Sequence, residues 1–250
     1  MLLIKMMQMP HERVFRVFNS VKTFKRGFFT ESHLPPVEEF KNAMSTVGSQ
    51  AMILTASFSG DLDITKMHGT TLSSVSSLTV YPEPVLQFNI QVPSATSSSI
   101  HQNKYLALHI LSPSSDSVKL ARNFSLGSRF INMQMNSDNT NAERKHTTPF
   151  ERIDKQEWEL FEDVIQNDRP DSFHLDPKLH LPVLTKNSER ILICEKYKVF
   201  QIYNHEIWTC KVKDILINVH EDHKTGGLLY FNRNFHFVGN PLVDPNTKKD

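Results

Sequence analysis

The chain has 250 residues, 39% of them hydrophobic and 10% aromatic, which is enough apolar material for a packed core and excludes a wholly disordered protein. Its 28 basic and 27 acidic residues leave a formal net charge of +1, so nucleic acid, which requires a concentrated basic surface, is not expected as a partner. Cys194 and Cys210 are the two cysteines and form no Cys-x-x-Cys pair, which argues against a disulfide-stapled secreted domain, a zinc ribbon and a thioredoxin-like motif, and no apolar stretch reaches membrane-span length.

Residues 1–30 contain Lys5, Arg13, Arg16, Lys22, Lys25 and Arg26 against the single acid Glu12. Val14, Phe15, Val17, Phe18, Val21 and Phe24 lie among them at helical spacings. A basic, amphipathic, acid-poor start predicts a mitochondrial transit peptide, with an ordinary amphipathic first helix as the alternative. The remainder carries 22 basic and 26 acidic groups, so the positive excess belongs to this segment. Pro35-Pro36 closes it, because a residue before proline is pushed out of helical geometry. The spacing of Phe40, Ala43, Met44 and Val47 then predicts a helix over 37–47.

From Ala51 the pattern changes to short strands: 51–56, a turn at Ser59-Gly60-Asp61, then 85–90 and 105–110. A short polar helix is expected over 94–101 and another over 118–124. Residues 131–178 are Asn-rich, then charged, and read as an insertion, helical or disordered, with one amphipathic helical patch carrying Trp158, Phe161, Val164 and Ile165. Strand character returns over 191–199, 207–219 and 228–237, and 240–250 is a polar tail. Many short strands with few long helices predict a mainly β barrel.

No Gly-x-Gly-x-x-Gly, Walker loop or Gly-x-Ser-x-Gly elbow occurs, which removes the usual dinucleotide, P-loop and serine-hydrolase signatures. His220-Glu-Asp-His223 has metal-compatible side chains but lies in a polar turn with no third ligand indicated, so no metal site is expected. The most unusual segment is His68 to Thr79. Hydroxyl residues dominate it, while Leu72, Val75 and Leu78 recur every third position. By composition this is either a Ser/Thr-rich edge strand and loop, or a strip that buries its apolar side and offers hydroxyls and backbone N–H groups to a ligand.

From about Phe40 to Phe237 the order of motifs resembles the flavin reductase-like family of FMN-binding split barrels. Gly69-Thr-Thr-Leu-Ser-Ser-Val-Ser-Ser-Leu-Thr-Val-Tyr-Pro82 is similar to that family's Gly-x-Thr-x-Ser-Ser-x-x-Ser-x-Ser ending in prolines. Pro93-Ser94-Ala95-Thr96 resembles its Ser/Thr cluster, Leu120-Ala121-Arg122-Asn123-Phe124 its Leu-Ala-x-x-Phe, and Ser128-Arg129-Phe130 its basic-Phe step. Leu181 to Leu184, Asn204-His205 and Leu228-Leu229-Tyr230 follow in family order. Three positions depart from it: Tyr203-Asn204 replaces Gly-Asp before the histidine, Glu83 interrupts the paired prolines, and the insertion lies beside the helix that follows the flavin site.

The resemblance implies a split-barrel domain over 37–239, a homodimer, FMN as cofactor and NAD(P)H as co-substrate. It implies cofactor contacts from Thr70, Thr71, Leu72 (through its backbone), Ser73, Ser74, Ser77, Ser94 and Thr96, and nicotinamide positioning by His205. A flavin reductase needs no protein acid or base at the reacting carbon, since the cofactor supplies the chemistry. The expected activity is an NAD(P)H:FMN oxidoreductase of the mitochondrial matrix. A flavin-binding or flavin-free scaffold that recruits a mitochondrial partner through 131–178 is the alternative. A pyridoxamine-phosphate-oxidase-like role on a related barrel would want more basic residues around the substrate phosphate.

Overall fold

The computed structural model describes residues 34–132, 144–161, 175–219 and 225–240. The expected leader over 1–30 and the tail beyond residue 240 lie outside them. The chain divides into two compact units, Met1–Ala43 and Met44–Asp250. In the first, the described residues form most of helix α1 (Pro36–Ser45), close to the helix expected from the sequence.

The second unit begins with strands β1 (Ser49–Gln50), β2 (Met52–Ala56), β3 (Phe58–Ser59), β4 (Gly69–Leu72), β5 (Ser76–Thr79) and β6 (Val85–Gln91). Helix α2 (Ala95–Asn103), β7 (Tyr105–Leu111) and helix α3 (Ser115–Ser125) follow, then β8 (Arg129–Asn132), β9 (Arg144–Thr147) and β10 (Trp158–Leu160). The chain continues through β11 (Leu179–His180), β12 (Pro182–Leu184), the long pair β13 (Ser188–Ile202) and β14 (His205–Ile217), and a final hairpin, β15 (Leu229–Phe231) and β16 (Asn234–His236).

Seven of these strands form one antiparallel sheet in the order β4-β2-β7-β13-β14-β6-β5. Its two edges, β4 and β5, are consecutive in the chain and joined by Ser73–Val75, a span of at most about 15 Å. The sheet therefore curls until its edges approach, and Asn89 N–H of β6 donates to Ser74 Oγ across the gap at 2.9 Å. The result is the mainly β split barrel expected from the sequence.

Period-2 alternation sorts the core. Leu86, Phe88 and Ile90 of β6 point inward with Leu54 and Ala56 of β2, Leu106 and Leu108 of β7, and Cys194, Trp208 and Cys210 of the long hairpin. The opposite face of β2 presents Ile53 to a second cluster with Leu120, Ala121 and Phe124 of α3, Phe150 and Trp158. All five residues of β2 are buried, which explains its unbroken apolar run.

Two elements differ from expectation. Trp158–Leu160 is a strand paired with β12, in place of the start of an amphipathic helix. The alternation sends Trp158 into the α3 cluster, while Phe161 joins Leu181, Val183 and Ile193 in a third one. Part of the 131–178 segment is thus core material; Val164 and Ile165 lie outside the described residues. The expected strand 228–237 is broken by a two-residue turn at Asn232-Arg233, whose φ angles are +47° and +62°.

Candidate functional site

The site starts from a close approach. An ideal Cβ on Gly69 would stand 2.7 Å from Leu54 O and 2.7 Å from Phe124 Cε1. Glycine is therefore what lets α3 lie against β4. Two residues on, Thr71 Oγ1 donates to Ala121 O at 2.6 Å and fixes the same pair of elements. The helix is defined at both ends: Ser114 Oγ accepts from Ser117 N–H at 3.1 Å, and Gly127, at φ +57°, donates its N–H to Phe124 O. Leu120, Ala121 and Phe124 face inward. Arg122 and Ser125, three apart, share the opposite, exposed side.

The terminal hairpin completes the enclosure. Tyr230 of β15 pairs with Ser49, and Ala51 N–H donates to Leu228 O at 2.8 Å, so β15–β16 is held beside the start of β2. Thr71, Leu72 and Ser73, with Arg122, Ser125, Tyr230, Arg233 and Phe235, line a cavity of about 260 Å³. Three of the expected cofactor-binding residues thus share one concave surface.

The others stand elsewhere. Thr70 follows Gly69 in β4, half-buried and opposite Leu54. Ser74 accepts the β6 amide already described, and exposed Ser77 pairs with Leu86 on edge strand β5. Ser94 caps α2, its Oγ accepting from Ser97 N–H at 3.3 Å, and the Thr96 side chain is buried. None of these five, nor His205, lines the 260 Å³ cavity. A separate recess of about 420 Å³ lies along α2, bounded by Ala95, Ser98 and Asn103 and by Lys66 and His68 opposite.

His205 opens β14 and is exposed, with Nδ1 3.0 Å from Asn204 Oδ1. Tyr203, in the position where Gly was expected by resemblance, has φ +52° and projects almost fully into solvent. The neighbouring Glu206 ties α2 to the sheet: Ser97 Oγ donates to Oε2 at 2.5 Å, and His101 Nε2 lies 3.0 Å from Oε1. Burial pushes the Glu206 carboxyl up, but these hydrogen bonds outweigh it and hold the group below its ordinary range. Burial also drives the thiols of Cys194 and Cys210 up, the latter to about 12, so both stay protonated within the barrel. Among the described residues no group of three or more His, Cys, Asp or Glu side chains is arranged to hold a metal.

Sequence reasoning missed Arg122 and Arg233 as cavity residues. Arg122 stood in plain view at the centre of Leu-Ala-Arg-Asn-Phe. Arg233 was hidden because a turn without glycine reads as continuous strand.

The comparisons agree with this architecture. The family described as "Flavin reductase like domain" matches residues 44–239. A flavin reductase domain protein from Arthrobacter sp. FB24 has a similar structure, with 20% identity, a TM-score of 0.55 and coverage of 84% of this chain and 99% of that one. The styrene monooxygenase flavin reductase of Pseudomonas putida S12 gives 17%, 0.52, 82% and 99% in the same order. The NADH:FAD oxidoreductase SgcE6 of Streptomyces globisporus C-1027 gives 14%, 0.55, 88% and 98%. At these identities the structures speak for the fold, and the family match over 44–239 speaks for kinship. The chain belongs to the flavin reductase like domain family.

Proposed function

We propose that the protein is an NAD(P)H-dependent flavin reductase that uses FMN, acts as a homodimer and works in the mitochondrial matrix. The observation that carries this reading is the convergence of Thr71, Leu72 and Ser73 on one cavity in a chain of this family. The residues suit a flavin. Thr71 commits its hydroxyl proton to Ala121 O, so its oxygen is offered as an acceptor, matched to a ring N–H. Ser73 is exposed and keeps a rotatable hydroxyl as donor. When bound, the flavin supplies the hydride acceptor; the protein's part is to hold the rings in register and exclude water.

His205 is the proposed nicotinamide contact. In the tautomer that donates Nδ1–H to Asn204 Oδ1, Nε2 offers an acceptor to the carboxamide of the co-substrate. The homodimer is supported by apolar groups left exposed at two places on the sheet: Phe200 and Ile202 at the end of β13, and Val80 and Tyr81 between β5 and β6. The six basic residues and one acid of residues 1–30 support mitochondrial import.

Aerobic oxidation of NADH and NADPH by the purified protein, with and without FMN, tests the reading. FMN-dependent oxidation of either nucleotide is the expected result. If FMN binds and neither nucleotide reacts, the reductase assignment fails and the scaffold alternative takes its place. Replacement His205→Ala should raise KM for the nicotinamide about tenfold, the loss of one good hydrogen bond, with FMN affinity unchanged.

A further inference from the structure

Two arginines face the cavity beside Thr71–Ser73, and neither has a carboxylate partner among the described residues. Arg122 comes from α3 and lies 6.0 Å from the centre of the Phe235 ring, whose face orients it. Arg233 comes from the β15–β16 turn. Its φ of +62° belongs to the left-handed region that a side chain enters at a cost and that glycine occupies freely. A positively charged side chain thus stands where glycine would sit at less cost, and it lines the cavity.

The rest of the lining sharpens the chemistry. Ser125 Oγ donates to Arg122 O and Thr71 Oγ1 to Ala121 O, so both hydroxyl protons are spent inside the protein. Among the lining residues the side-chain donors that remain are the two guanidinium groups and the hydroxyls of Ser73 and Tyr230, and the paired cations favour an anion. At about 260 Å³ the cavity is smaller than the roughly 300–1,000 Å³ of a whole-ligand pocket, so it suits one end of a larger molecule.

We infer that Arg122 and Arg233 form a phosphoester subsite, holding the phosphate end of a nucleotide that also contacts Thr71–Ser73. The inference rests on the flavin-reductase reading for the identity of the nucleotide, and on the arginines themselves for the phosphate. The phosphate belongs either to the flavin or to the nicotinamide dinucleotide, and the two sources separate experimentally.

The test compares full-length wild type with Arg122→Gln and Arg233→Gly. Riboflavin and FMN are titrated by fluorescence, and NAD+, NADP+ and inorganic pyrophosphate by calorimetry. If the flavin phosphate occupies the subsite, FMN binds wild type at least tenfold more tightly than riboflavin. Each variant then loses that advantage, while riboflavin affinity stays within twofold. If the dinucleotide phosphate occupies it, both flavins bind all three proteins alike, and NAD+ or NADP+ weakens at least tenfold in the variants. Arg233→Gly should unfold at no lower temperature than wild type, which separates lost binding from lost structure. Variants that bind FMN, NAD+, NADP+ and pyrophosphate as wild type does overturn the subsite. A wild type that takes up neither riboflavin nor FMN overturns the flavin reading instead. The subsite is then decided by pyrophosphate, which must bind wild type and be lost in both variants.

Discussion

His109 shows how a polar side chain earns a place at the centre of the sheet. Its ring is fully buried on β7, with Nδ1 2.9 Å from Ile53 O and Nε2 accepting Leu184 N–H at 3.0 Å. Both ring nitrogens are used by backbone groups of opposite kind, which requires the neutral form with its proton on Nδ1. Burial pushes the pKa down to about 4 from an ordinary 6.5, with the Ile53 carbonyl opposing it. A histidine depressed in the folded state favours folding above its unfolded value, and that contribution is lost as pH falls from about 6.5 towards 4. Between pH 7 and 5 this group alone should remove about 2 kcal/mol of stability. Urea melts across that range check the slope, and His109→Gln, which keeps a donor and an acceptor but cannot titrate, should flatten it. Which carbonyl and which amide this histidine joins depends on β2 and β12, distant from it in the chain.

At the scale of elements, the cavity depends on where α3 rests. Gly69→Ala would set a methyl against Leu54 O and the Phe124 ring, forcing the helix outward at a cost of about 1–3 kcal/mol. A lowered melting temperature with weakened flavin binding is the expected pair of effects. The far end of α3 is held by Arg152, whose guanidinium donates to Asn123 Oδ1 at 2.7 Å, Asn123 O at 3.2 Å and Gly127 O at 2.6 Å. A cation bonded to the last carbonyls also opposes the negative end of the helix. Arg152 lies within the segment expected to be an insertion, so that segment braces the site-bearing helix. Because lysine cannot reproduce the fork, Arg152→Lys should cost roughly 1–3 kcal/mol, read by thermal unfolding.

For the whole molecule, the barrel was legible because its strands advertise themselves. Leu86, Phe88 and Ile90 alternate with polar residues, and β7 and β13 carry runs too apolar for a surface. The cavity was half legible. Thr71, Leu72 and Ser73 stand in a hydroxyl-rich strip that marks itself in the sequence. Arg122 and Arg233 meet them only through the packing of α3 and the return of the last hairpin, 111 residues after Arg122 in the numbering. Trp158 misled because aromatic spacing at 158, 161, 164 and 165 fits a helix, while the pairing of β10 with β12 decided otherwise. Ser94 and Thr96 stand apart from that cavity, the first capping α2 and the second buried.

Titration of the purified full-length protein with FMN reads out whether the cavity beside Thr71–Ser73 takes a flavin. Saturable quenching of flavin fluorescence, with a shifted and structured visible absorption band, is the predicted result. An FMN spectrum and emission unchanged by stoichiometric or excess protein would contradict it.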